Sequence, residues 1–200
     1  MRQSPIEAED QKLVEEIIFN PNHLDLQKIP RSSKLTADFQ VTLNGSVVAY
    51  CELKSPHDDW LDKLLDLADP FQIVGGWRED PIFKKIRKHA NKASKQFEAC
   101  NPTRNVPDIL LFVNHDDGSD FSDLMETFTG QFHADDGSRH ATMSDIASSL
   151  ERAKSQIDLC IWVDGKSRRV QGFYMNEGTS PNYLNQLCIL FGKNPLDIKH

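Results

Sequence analysis

Two acids and a lysine stand out by their setting. Asp38 leads into a run in which Phe39, Val41 and Leu43 alternate with Gln40 and Thr42. In a second run Val47, Ala49, Cys51 and Leu53 alternate with Val48, Tyr50, Glu52 and Lys54. Asn44-Gly45 between them is a strong hairpin signal. A strict two-residue loop pairs Leu43 with Ser46 and turns Glu52 to the face of Phe39. A three-residue loop pairs Leu43 with Val47, Val41 with Ala49, Phe39 with Cys51 and Asp38 with Glu52. Only that register gathers the apolar residues, and it predicts Asp38, Glu52 and Lys54 on one face at one end of the hairpin.

Two carboxylates a few ångströms apart repel each other unless a cation or a proton intervenes. Mg²⁺ (or Mn²⁺) takes oxygen ligands and keeps several waters, so Asp38 and Glu52 with a substrate phosphate suit it. Lys54, on the same face, is placed to orient an attacking water or offset added negative charge. The string itself carries no weight: acid-x-Lys occurs four times, where composition alone predicts about two. The ordinary alternative is a solvated hairpin face with a weak ion-pair cluster.

A downstream helix shifts that balance. Ile82, Ile86, Ala90, Ala93, Phe97 and Cys100 form one apolar stripe. Lys84, Lys88, Lys92 and Lys95 fall away from it, with Lys85, His89 and Gln96 on its flank. From 84 to 104 there are seven Lys or Arg and one acid, Glu98. A basic helix beside two carboxylates is what phosphodiester binding needs. The bland reading is a solvated helical face.

The elements around this pair follow from punctuation and periodicity. Ser4-Pro5-Ile6-Glu7 is a capping box that opens a helix with Ile6, Leu13, Val14, Ile17 and Ile18 on one face. Leu24 to Ile29 predicts a short strand. Residues 55 to 81 read as an insertion, with a short helix around Trp60 to Ala68. Val106 to Val113 is a buried strand. Helices follow at Phe121 to Phe128 and Ser144 to Gln156, then a strand at Ile157 to Val163, an antiparallel partner at Val170 to Met175 and a helix at Tyr183 to Phe191. The order predicts an α/β fold, a mixed sheet flanked by helices, in one domain spanning 1–200.

At this point the chain resembles the restriction-endonuclease-like, PD-(D/E)XK nuclease superfamily. Asp38-x13-Glu52-Leu-Lys54 carries the resemblance, with Lys92-Ala-Ser-Lys-Gln96-Phe after it. The implied core, helix, three strands, helix, strand, covers residues about 5 to 113, with 114 to 200 as an α/β extension. The resemblance implies that Asp38 and Glu52 bind Mg²⁺, that Lys54 assists the attacking water, and that Gln96 is an accessory catalytic position. It implies an acid from the first helix as well, and Glu9, Asp10 and Glu16 all remain open. Ala37 departs from the family's proline, and 55–81 is unusually long. The expected function is a Mg²⁺-dependent nuclease acting on DNA, with Lys84, Lys85, Lys88, Lys92 and Lys95 binding the nucleic acid. The alternative is a catalytically inactive nuclease-like domain that binds nucleic acid or a protein partner.

The 200 residues, 22.8 kDa, are 38% hydrophobic and 26% charged, the composition of an ordinary globular protein. No apolar run approaches the ~18 residues of a membrane span. Five acids in the first 20 residues are unlike a signal peptide. Cys51, Cys100, Cys160 and Cys188 form no CxxC pair, which argues against a zinc ribbon and for reduced thiols in a cytoplasm. The net charge of -7 masks a division, because all but one of the 30 acids lie outside residues 84 to 104. From 105 to 138 there are eight acids and no Lys or Arg, a candidate face for a basic protein partner. A homodimer is compatible with all of this.

Overall fold

The computed structural model describes residues 5–30, 35–56, 69, 82–134 and 136–194. The helix expected around 60–68, and Trp77, lie outside them. Helix α1 (Pro5–Val14) runs into a π-helical turn at Glu15–Phe19 and a 3₁₀ turn at Asn20–Asn22, and His23 ends it at φ 59°. The strands that follow are β1 (Asp25–Lys28), β2 (Phe39–Leu43) and β3 (Ser46–Lys54). Helix α2 (Ile82–Cys100) crosses over to β4 (Asp108–Asn114). Next come α3 (Phe121–Thr129), a small hairpin of β5 (Gln131–His133) and β6 (Arg139–Ala141), α4 (Ser144–Ser148) and α5 (Glu151–Gln156). The chain then forms β7 (Leu159–Asp164), β8 (Arg169–Met175) and α6 (Pro181–Leu190).

Six strands make one mixed sheet in the order β1-β2-β3-β4-β7-β8. The β3–β4 and β4–β7 pairs are parallel and the rest antiparallel. Every residue of β4 is buried, as expected for a central strand covered on both faces. One face packs Leu13, Val14, Ile18 and Phe19 of the first helix, with Leu187 and Leu190 of α6, against Val41, Cys51, Leu111 and Ile161. The other packs Ile82, Ile86, Ala90 and Phe97 of α2, with Leu124, Phe128 and Ala153, against Leu110, Phe112 and Trp162. The fold is therefore a helix–sheet–helix sandwich, and no helix among the described residues is long and apolar enough to cross a membrane.

The hairpin corrects the expected loop. Leu43 pairs with Ser46, not Val47, across a two-residue turn with Asn44 at φ 52° and Gly45 at φ 79°. Positive φ at both central residues is the turn whose twist matches paired strands, and Asn-Gly adopts it most cheaply. The register then shifts by one between Val41 and Thr42. Val48 is the extra residue of this bulge, and its carbonyl accepts a hydrogen bond from Gln186 Nε2 at 3.0 Å. Beyond it Val41 meets Ala49 and Phe39 meets Cys51, as the apolar pattern demands.

A second correction concerns the single helix expected at 144–156. It breaks at Ser149–Leu150 into α4 and α5. Ser148 Oγ donates to Ser144 O at 2.8 Å and Ser149 Oγ to Ile146 O at 2.6 Å, local bonds that compete with helix propagation.

Candidate active site

Asp38 stands just before β2, and Glu52 and Lys54 close β3. Alternation turns Glu52 and Lys54 toward α2, beside Leu110 and Phe112 of β4. The three side chains meet. Lys54 Nζ donates to Glu52 Oε1 and lies 3.4 Å from Asp38 Oδ2. The Asp38 backbone N–H donates to Glu52 Oε2 at 2.8 Å, so both oxygens of that carboxylate are engaged. Glu52 is fully buried, whereas Asp38 keeps 20% of its side-chain surface exposed. One oxygen from each acid thus converges on a single cationic point, open to solvent on the Asp38 side.

Burial drives the Glu52 carboxyl up to about 7, outweighing the attraction of Lys54. Asp38 adds to the rise by like-charge repulsion, and the Asp38 N–H opposes it. His89, half-buried on α2 against Phe112, is pushed down to about 4, first by burial and then by Lys54, Lys92, Lys88 and Lys85. The imidazole is therefore neutral near pH 7, chiefly because it is buried, with the neighbouring lysines adding to the fall.

Gln96 is buried, and its Nε2 donates to Thr36 O at 2.9 Å, fixing the backbone two residues before Asp38. Its Oε1 is buried without a partner. Lys84, Lys88, Lys92 and Lys95 are exposed on α2, with Lys85 half-buried on its flank. The first-helix acids divide. Glu9 is exposed and Glu16 pairs with Arg168 at 2.8 Å. Asp10 is buried, accepting from Ser55 Oγ and lying 2.8 Å from His115 Nε2. Its partners sit just past the ends of β3 and β4, on neither Asp38 nor Glu52.

Asp10 was one of the three open first-helix acids, but its meeting with Ser55 and His115 was not legible in the sequence, since they lie 45 and 105 residues from it and only the packing of α1 joins them. Several acids of 105–138 have partners within the chain. Asp108 bonds Asn101 and Gln156, Asp117 pairs with Lys166, Asp120 and Asp123 build the α3 capping box, and Asp136 holds Ser138.

Two convergent carboxylate oxygens are a hard donor pair of the type Mg²⁺ takes with its remaining waters. Among the described residues no group of three or more His, Cys, Asp or Glu could hold a metal ion by itself. Asp38 and Glu52 alone would leave most of such a cation's positions to water or other ligands. Comparisons of this chain with protein-family models, with curated proteins and with solved structures find no match.

Proposed function

We propose that this protein is a Mg²⁺-dependent nuclease that hydrolyses phosphodiester bonds in DNA. The observation that carries the reading is the convergence of Asp38 Oδ2 and Glu52 Oε1 on one cationic point, occupied by Lys54 Nζ. The order α1-β1-β2-β3-α2-β4, with an antiparallel three-strand unit joined in parallel to β4, supports a restriction-endonuclease-like core. Asp38 and Glu52 would hold Mg²⁺, which supplies positive charge at the phosphorus in transition and acidifies water.

The chain's own groups do the rest. Lys85 and Lys92 receive substrate phosphates beside the hairpin. With the carboxylates holding the cation, Lys54 would turn away from them and donate to the oxygen that gains charge as water adds. The P–O bond to the leaving oxygen then breaks, and that oxygen takes up a proton from solvent, which balances the one the attacking water gives up to solvent. Gln96, through Thr36, holds the approach of the chain to Asp38 and acts as a positioning residue.

Plasmid DNA is the test. Nicking with Mg²⁺, abolished by EDTA and reduced at least a hundredfold by Lys54→Ala, is the expected result. Metal-dependent nicking that survives Lys54→Ala overturns the assignment. One observation favours a second reading, an inactive domain that binds nucleic acid: Lys54 already bonds both acids, a self-compensated cluster. It predicts salt-dependent DNA binding with no cleavage under any metal.

A further inference from the structure

At about 3.6 residues per turn, α2 has two distinct polar flanks. Lys85, His89, Lys92 and Gln96 lie on the flank toward the hairpin, as the Gln96–Thr36 bond shows. Arg87, Asn91 and Glu98 lie on the opposite flank, and Lys84, Lys88 and Lys95 form the crest between. An open depression of about 640 Å³ runs over the crest from Lys92 to Arg87 and Asn91, and Ser149, in the break between α4 and α5, lines it as well.

Four cations of this surface are uncompensated. Among the described residues Arg87, Lys88, Lys92 and Lys95 join no ion pair, and the side-chain amide of Asn91 makes no hydrogen bond. The helix's one acid, Glu98, is neutralised by Arg152, whose Nε donates at 2.8 Å. Unpaired cations crowded on one face repel each other, and a polyanion relieves them while releasing counterions. The cations also extend too far for a small anion. Lys84 and Lys95 are about 16 Å apart along the axis, and the flanks are separated by a helix about 10 Å across.

We infer that Arg87 and Asn91, beside Ser149, form a second phosphate-binding subsite. There a nucleic-acid backbone docks before crossing the Lys84, Lys88 and Lys95 crest to Lys92 and Lys54. Arg87 offers a planar fork matched to phosphate oxygens, and Asn91 a free amide donor. The inference rests on the nuclease reading for its direction of travel, toward Lys54, but not for its chemistry.

The test is binding, in EDTA, of fluorescein-labelled oligothymidylates about 6 and about 18 nucleotides long, at about 0.1 M salt. There the screening length of about 10 Å separates the two flanks. Wild-type protein gains affinity with length. Arg87→Glu combined with Ser149→Glu removes most of that gain, on the order of tenfold, and lowers the salt slope for the long oligomer by about one. Arg87→Gln, which keeps the shape of the helix surface, gives a smaller loss in the same direction. A length gain undiminished in both variants overturns the subsite. Equal displacement of the long oligomer by polyglutamate of matched charge overturns its identity as a nucleic-acid track. Loss of the length gain in the variants, with no Mg²⁺-dependent cleavage by the wild type, keeps the subsite and removes the nuclease reading.

Discussion

Glu52 carries an unusual load for one side chain, a buried carboxyl bonded to an ammonium and to an amide. Its pKa is raised from 4.5 to about 7, so the folded protein holds the proton more tightly than the unfolded chain. This group's contribution to stability is complete below about pH 4.5 and is lost as pH rises through about 7. The difference is on the order of 3 kcal/mol. Glu52→Gln removes the titration, so urea unfolding at about pH 4.5 and about pH 8 will show the wild type losing more stability than the variant. Parallel pH profiles refute the assignment. At this scale the sequence was informative where period-two alternation operates: Asp38, Glu52 and Lys54 sit on neighbouring strands whose faces can be counted. It was silent on Asp10 with Ser55 and His115, and on the buried Asp108 and Asp158 network. There Asp108 N–H donates to Asp158 Oδ2 at 2.9 Å and Arg104 Nη2 reaches Asp158 Oδ1 at 2.6 Å. Those meetings depend on which strand ends the tertiary fold brings together.

Among the elements, the hairpin shows how a pattern can be read correctly and its mechanism missed. Counting residues between the apolar runs yields the right pairing at the site but cannot tell a three-residue loop from a two-residue turn plus a bulge. Both insert one residue. The backbone decides in favour of the turn, because Asn44 and Gly45 both tolerate positive φ. A Cβ at Gly45 meets nothing within 4 Å, so Gly45→Ala tests conformation alone. It should cost about 1 kcal/mol in chemical denaturation and leave the end carrying Asp38 and Glu52 unchanged, so on the proposed nuclease function the cleavage rate would stay at the wild-type value. Helix α2 was legible to the residue because its apolar stripe, Ile82 to Phe97, is unbroken. The α4–α5 break was not, since serines that end a helix through their own hydroxyls look like ordinary helix surface.

For the molecule as a whole, the segment after residue 113 is structural to the core. β7 pairs with β4 from Ile109–Leu159 to Asn114–Asp164, and its helices α3 and α5 cover the α2 face of the sheet while α6 covers the other. A chain cut after residue 113 would present β4, buried along its whole length, as an open edge. Such edges template self-association. Size-exclusion chromatography of residues 1–113 should therefore show aggregate, whereas the intact chain elutes as a defined species. A stable monomeric 1–113 fragment would refute this. The charge distribution belongs to this scale too. A net charge of -7 hides a helix region with seven bases and one acid, so the proposed nucleic-acid binding would be confined to one face and weaken steeply with salt.

The bulge at Val48 gives the hairpin one residue of slack. A chain lacking Val48 could close the same turn and keep Val41 with Ala49 and Phe39 with Cys51, with the strands now running evenly. Twelve residues would then separate the two acids instead of thirteen. Asp-x12-Glu and Asp-x13-Glu are thus alternative spellings of one geometry. A site of this kind is defined by which strand faces meet, and a search keyed to a fixed interval would pass over its shorter spelling.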